Sequence, residues 1–299
     1  MNRKPINYLE ASARTRIANL VDPDSFSEFC PPELRHTSPH LARLDAPVAF
    51  DDGVIVGRAK VNGHTVLIAS QEGRFNGGAV GEVHGAKLRG LLERAVNERP
   101  VALLLLVDSG GVRLHEANAG LIAISELMRA VLRAQAAGIP VFALIGGSCG
   151  AFGGMGIVSR LCTEVIISEQ GRIGLSGPEV IETVKGVDEF DSRDRALVWR
   201  VTGGKVRRAI GDATHLVDDD IMSFRSATAE LLDRYAECGL QPSGLADLSA
   251  AHQRLSTRAQ SYAAALDGHP IFQAAGFTDL ESVALMPVDA FNRQLEETA

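Results

Sequence analysis

Two apolar strands, each running into a glycine-rich bend, set the limits on this fold. The first, Val101 to Val107, ends in Asp108-Ser109-Gly110-Gly111-Val112-Arg113. The second, Val141 to Ile145, ends in Gly146-Gly147-Ser148-Cys149-Gly150-Ala151. Unbroken apolar runs of this length read as strands covered on both faces. A helical stretch separates them, and a small-residue helix over Gly150 to Val158 is expected after the second bend. Strand and helix alternate, which argues for parallel strands joined by crossovers. Small side chains let a ligand reach the main chain, and a helix start offers N–H groups with no partner inside the helix. The two bends therefore read as facing donors for an oxygen that becomes negative during a reaction.

Around this centre the chain is ordinary in bulk and specific in detail. Its 299 residues are 45% hydrophobic and 22% charged, enough for one large core or two small ones. A net charge of −7 without a dense basic stretch argues against nucleic-acid binding. Cys30, Cys149, Cys162 and Cys238 form no CxxC pair, so a reduced cytoplasmic protein is expected. No signal-peptide pattern and no apolar run of membrane-spanning length stands out. Cys30 with His36 and His40 gives three candidate zinc ligands at irregular spacing, and a surface linker is the better reading.

Ala13, Ile17, Leu20 and Val21 share one face of an early helix. Asn62-Gly63 between Val54–Val61 and His64–Ala69 is a hairpin signal. Leu88, Leu91, Leu92, Ala95 and Val96 have helical spacing. So do Leu121, Ile124, Leu127, Met128, Val131 and Leu132, a stripe ended by Gly138 and Pro140. Glu164 to Ile167 is a further strand and Ile173 to Leu175 a short one. Ser176-Gly177-Pro178-Glu179 has the form of a capping box opening a helix to Lys185. Val198 to Ile210 reads as helix across Gly203-Gly204. From Phe224 onward the pattern is helical, with breaks at 239–244 and 268–270. We expect one domain over 1–223 and a helical extension over 224–299, packed on that domain or on a partner.

Three functions compete at the residue level. In the first, main-chain N–H groups of Gly111, Val112, Gly150 and Ala151 hold the oxygen of a thioester. Loss of CO2 from a malonyl thioester leaves an enolate there, and each preorganised donor lowers that barrier by roughly 3 kcal/mol. Alanine is then expected to be mild at Gly150. In the second, Gly146-Gly147-Ser148-Cys149-Gly150 is a G-x-S-x-G elbow with Ser148 as nucleophile. The elbow needs an acid and then a histidine later in the chain, and Asp212 with His215 is too tightly spaced. In the third, the chain is a non-catalytic partner subunit. Arg113 and Glu116 read as a surface or helix-start pair, with Arg113 a candidate for meeting a carboxylate or phosphate. Cys149 reads as a small filler.

Five ordered segments then carry a resemblance. ARTRIANLVDPDSFSEF (13–29), GRFNGGAVGEVHGAKL (73–88), DSGGVRLHEA (108–117), IGGSCGAFGG (145–154) and RIGLSGPEVIE (172–182) resemble, in order, markers of acyl-CoA carboxyltransferase subunits. Within that family the chain is most similar to beta subunits of biotin-independent malonate decarboxylases. It lacks the four-Cys zinc ribbon of bacterial carboxyltransferase beta subunits, has Gly111-Val112 where Gly-Ala is common, and carries a long charged stretch before its helical tail.

The resemblance implies a crotonase-like α/β fold, a spiral of ββα units. It implies decarboxylation of malonyl-S-acyl carrier protein to the acetyl thioester and CO2. A phosphopantetheine-type arm derived from dephospho-CoA would deliver the substrate, with neither biotin nor a metal. Partners would be a related gamma subunit, the acyl carrier protein and its alpha transferase subunit. Gly111, Val112, Gly150 and Ala151 would be the oxyanion donors. Gly110, Arg113, Arg172, Gly177 and Lys185 would contact substrate or arm. The alternative is a carboxyltransferase beta-type subunit of a biotin-dependent acyl-CoA carboxylase.

Overall fold

The computed structural model describes residues 6–298. Seven strands form one sheet in strict chain order: β1 (Ser27–Phe29), β2 (Val54–Val61), β3 (His64–Gln71), β4 (Ala102–Val107), β5 (Val141–Ile145), β6 (Glu164–Ser168) and β7 (His215–Val217). β1, β2 and β3 pair antiparallel. The rest are parallel. Asn62 and Gly63 both take left-handed backbone, φ 52° and 81°, as a tight two-residue hairpin requires.

The helices are α1 (Ala13–Leu20), α2 (Pro39–Arg43), α3 (Glu82–Glu98), α4 (Ala119–Ala136), α5 (Gly153–Leu161) and α6 (Pro178–Lys185). After them come α7 (Arg195–Thr202), α8 (Gly204–Ala209), α9 (Ile221–Cys238), α10 (Leu245–Ser261), α11 (His269–Ala274) and α12 (Val288–Thr298). β4 shows why its sequence does not alternate. Leu103, Leu105 and Val107 pack under α3 and α4, while Leu104 and Leu106 pack on the other face with α1 and α9. Both faces are covered, so every position is apolar.

Between each parallel strand and its helix the chain makes a second, minimal layer. Val80 bridges Val112, Ser109 bridges Ala151, Ala151 bridges Ile173, and Arg172 bridges Gly203. Strand, one-residue bridge and helix thus repeat as ββα units. This layer corrects two expectations. Ile173–Leu175 is a single bridge rather than a strand. α5 begins at Gly153, three residues after Gly150, because Ala151 belongs to the bridge layer.

Other local differences have equally local causes. Pro178 at the first helical position makes Gly177 the N-cap of α6, so Ser176 falls outside the helix and the capping box does not form. On α4, Ile124, Leu127 and Val131 are buried, but Leu121 and Leu132 stand 55% and 52% exposed. The helical run over 198–210 is broken at Gly203, where a Cβ would stand 2.5 Å from the Trp199 carbonyl oxygen. The 223/224 boundary falls inside α9, which starts at Ile221 with Asp220 as its cap. Phe224 stacks on Tyr8 at 4.0 Å in the core. Phe272, Phe277 and Phe291 of the extension join the opposite core. Among the described residues no helix is long and apolar enough to cross a membrane.

Candidate active site

Asp108, the first residue after β4, ties the two bends together. Its side chain is buried against Arg16 of α1, with Arg16 Nη1 2.9 Å from Asp108 Oδ2. Arg16 is held in turn by the carbonyls of Tyr8 and Leu9. The other carboxylate oxygen accepts the Cys149 N–H at 2.7 Å, so one side chain fixes both loops. A Cβ on Gly147 would lie 2.2 Å from Asp108 Cγ, and one on Gly73 2.7 Å away. These glycines make room for the carboxylate. Burial pushes the Asp108 carboxyl above the ordinary aspartate value, against the lowering by Arg16 and the Cys149 N–H. Burial and then Asp108 push the Cys149 thiol up, which argues against a reactive thiolate.

The bends do converge, through residues other than those expected in the second. Gly153 takes φ 55°, and a Cβ there would stand 3.2 Å from the Gly111 Cα. Gly111 itself takes φ 135°. The N–H accounting is specific. Gly150 donates to the Gly147 carbonyl at 3.0 Å and Ala151 to the Arg172 carbonyl at 2.8 Å. These two N–H groups are consumed by the turn and by the bridge layer, which corrects their assignment as free donors. Gly111 donates to Ser109 Oγ at 3.2 Å, and Gly110 to the Gly77 carbonyl at 2.8 Å. Among the described residues, the N–H groups of Val112, Gly154 and Met155 have no partner. Gly154 and Met155 lie in the first turn of α5, where orphan donors belong. Gly150 is also not a position where alanine is mild. Its φ is 66°, and a Cβ would stand 2.8 Å from the Arg172 carbonyl oxygen.

The charged residues have other tasks. Arg113 is fully buried, with Nη1 2.9 Å from Asp52 Oδ2 and 3.0 Å from Glu116 Oε1. Its Nη2 donates to the Asp52 carbonyl at 2.9 Å. It pairs with Glu116 as the i,i+3 spacing suggested, but inside the protein, where it cannot meet a ligand. Arg172 donates to the Ser148 carbonyl and lies over the Trp199 ring at 4.9 Å. Lys185 pairs with Glu189 at 2.5 Å on the exposed end of α6. Ser148 is exposed, and no histidine ring hydrogen bonds to it among the described residues. His40 pairs with Glu82 at 2.7 Å.

Sequence reasoning missed Arg16, Asp52, Gln71 and His84. Gln71 Oε1 accepts the Asp108 N–H at 3.3 Å, and its amide nitrogen lies 3.0 Å from buried His84 Nε2. Burial first, then the nearby Arg113 charge, hold His84 well below its ordinary value and keep it neutral. A signal for Arg16 existed: it shares the i, i+3, i+4, i+7 face of Ala13, Ile17 and Leu20, and a cation on a core stripe needs a buried partner. Asp52 and His84 carried no such mark.

The surface beside the two bends is apolar and uncovered. Leu114 is 80% exposed and Leu175, whose carbonyl accepts the Gly153 N–H, 71%. Leu121 and Ile122 at the start of α4, and Val180 and Val184 on α6, are exposed as well. Solvated single leucines are common, but several exposed apolar side chains on the segments that follow the bends are what an interaction surface would present.

Comparison with known proteins finds relatives over most of the chain. Residues 10–201 match the carboxyl transferase domain family. The chain is 44% identical over 245 residues to the malonyl-S-ACP:biotin-protein carboxyltransferase of Malonomonas rubra, covering 77% of each. It is 30% identical over 209 residues to the methylmalonyl-CoA carboxyltransferase 12S subunit of Propionibacterium freudenreichii subsp. shermanii, covering 70% of this chain and 37% of that one. The crystal structure of a Pseudomonas malonate decarboxylase hetero-tetramer in complex with malonate superposes with a TM-score of 0.75 at 36% identity, over 97% of both chains. With its ββα spiral, its paired glycine bends and a match over most of its length, this chain belongs to the carboxyl transferase domain family.

Proposed function

We propose that this chain is the beta-type subunit of a malonate decarboxylase. It acts on a carboxyl group, and its substrate is malonyl-S-acyl carrier protein. In the step we assign to it, the bond between the malonyl carboxylate carbon and Cα breaks. CO2 leaves, and the electron pair passes through Cα to the thioester oxygen as an enolate. A proton then returns to Cα and leaves the acetyl thioester. The main chain at Gly111–Val112 and the first turn of α5 hold the enolate oxygen, each aligned donor contributing roughly 3 kcal/mol.

The observation that carries this reading is the approach of Gly111 to Gly153 with unpaired N–H groups on Val112, Gly154 and Met155. Gly110, exposed beside the first bend, and the α6 start at Gly177 border the path of a phosphopantetheine-type arm. Arg172 and Lys185, already engaged within the chain, are left with a secondary part in binding its phosphates. The uncovered leucines and valines around the bends fit a related gamma subunit that closes the site. The hetero-tetrameric and hetero-dimeric state of the Pseudomonas malonate decarboxylase structures supports this. The carrier protein and its transferase complete the assembly.

A second reading has its own support. The Malonomonas rubra relative is named as a carboxyltransferase to a biotin protein, so the same site would pass the carboxyl group to biotin. The test mixes the chain with its related subunit and malonyl-S-acyl carrier protein. CO2 release without biotin or bicarbonate supports decarboxylation. Turnover only with a biotinyl acceptor supports transfer. Malonate and free thiol as products would overturn both.

A further inference from the structure

Away from the bends, three arginines from three helices converge on one carboxylate. Gly211 turns the chain after α8 with φ 75°, and the Asp212 and Ala213 N–H groups both donate to the Arg207 carbonyl, at 2.8 and 3.0 Å. Arg207 Nη1 of α8 lies 3.1 Å from Asp212 Oδ2. The other oxygen is shared. Arg160 Nη2, from the last turn of α5, stands 3.2 Å from Oδ1, and Arg258 Nη1 of α10 stands 3.0 Å from it. α5 starts at the second bend and leads away from it to β6. Arg160 is therefore about 10 Å along the helix from Gly153.

The charges in this cluster do not balance. Three guanidiniums, charged at any working pH, face a single carboxylate, which leaves an excess of two positive charges. Among the described residues no other Asp or Glu forms an ion pair with any of the three. Burial, opposed by Asp212 and reinforced by Arg258 and Arg207, holds the Arg160 guanidinium below its ordinary value.

The cluster is also reachable. The side chains of Arg160, Arg207 and Arg258 are 35%, 21% and 25% exposed. Arg160 and Arg207 spend further donors on the Asp212 and Val201 carbonyls. Arg258 engages Nη1 alone, so its Nε and Nη2 have no partner among the described residues. A Cβ on Gly211 would stand 3.4 Å from Arg258 Nη2 and would meet nothing else within 4 Å. The space beside this free edge is open. A phosphate monoester carries close to two negative charges at neutral pH and three acceptor oxygens. It complements the excess, and the guanidinium fork matches its geometry. A carboxylate brings one charge only, and Asp212 already supplies that.

We propose that the Arg160–Arg207–Arg258 cluster is a binding site for the dianionic phosphate group of a phosphomonoester. An occupied site ties α10 to α5 and α8, because Arg258 makes the one ion pair of α10 with the rest of the chain among the described residues.

The full chain is titrated by calorimetry with phenyl phosphate at neutral pH, and in parallel with benzoate, which keeps the ring and carries one charge, at matched ionic strength. The expected result is saturable heat with phenyl phosphate and a Kd at least tenfold weaker for benzoate. Amide hydrogen exchange across α10 is expected to slow when phenyl phosphate is present. Arg258→Gln is expected to weaken phenyl phosphate at least tenfold, whereas Arg293→Gln, on the surface of α12, leaves its binding unchanged. Asp212→Asn removes the competing carboxylate and is expected to tighten binding at least threefold, a gain that lost fold cannot imitate. No saturable heat, equal binding of benzoate, or binding that Arg258→Gln or Asp212→Asn leaves unaltered would make the cluster a structural clamp and would overturn the proposal.

Discussion

Arg113 is a buried cation on which two buried carboxylates depend. Its guanidinium compensates Asp52 and Glu116 inside the protein, and Asp52 also accepts the N–H groups of Ser38 and His84. Arg113→Met leaves two buried carboxylates with one partner fewer. An expected loss of about 3–5 kcal/mol is measured by urea unfolding. Gly150→Ala meets both a left-handed backbone and the Arg172 carbonyl. A cost of about 1–2 kcal/mol from conformation alone, with more from the contact, is read as a lower Tm. Ser148→Ala, by contrast, removes a solvated hydroxyl and is expected to leave CO2 release unchanged. Near-complete loss of turnover would restore the hydrolase reading. Asp219 carries a pH dependence. Burial, opposed by hydrogen bonds from Asn7 and Ser168, raises its carboxyl to about 6. The folded state binds this proton more tightly than the unfolded chain. Its contribution to stability is therefore present below the unfolded aspartate value and is lost as pH rises through about 6. Asp219→Asn cannot titrate, so the Tm of the wild type relative to this variant is expected to fall between pH 4 and pH 8.

At the scale of elements, the helices divide by what they cover. α3 and α4 bury regular apolar stripes over one face of the sheet, and α1 and α9 cover the other. α10 has no buried residue along Leu245–Ser261. Its anchors are the Asp247 carboxylate on the Gly244 N–H at 2.8 Å and Arg258 on Asp212 at 3.0 Å. Surface pairs of this kind contribute little, and helix stability comes mostly from packing. Amide hydrogen exchange is expected to be faster across α10 than across α3 and α4 in the isolated chain. Equal protection would mean that α10 is held by contacts of core quality. α5 teaches a different point about elements. Its start could not be placed from small residues alone, because Gly150-Ala151 and Gly153-Gly154 are equally plausible openings. The bridge from Ala151 to Ser109 and Ile173 decides between them.

At the scale of the molecule, the proposed function makes this chain half of a site. Its two bends meet, yet the surface beside them is lined by exposed Leu114, Leu175, Val180 and Val184. Val184→Asp should leave the isolated chain folded while weakening its capture of the related subunit, read by size-exclusion chromatography of the mixture. The sequence by itself determined the alternation of strand and helix, the Asn62-Gly63 hairpin and the positions of the glycine bends after β4 and β5. The alternation, the hairpin and the positions of the bends are local properties, written in periodicity and in glycine at fixed offsets. Only the tertiary structure decided which N–H groups in those bends stay free. That outcome depends on Ala151 bonding to Arg172, and on Asp108 bonding to Arg16 ninety-two residues away. A one-dimensional pattern records which residue can donate. Whether that donor is already spent is set by neighbours that only folding brings within 3 Å.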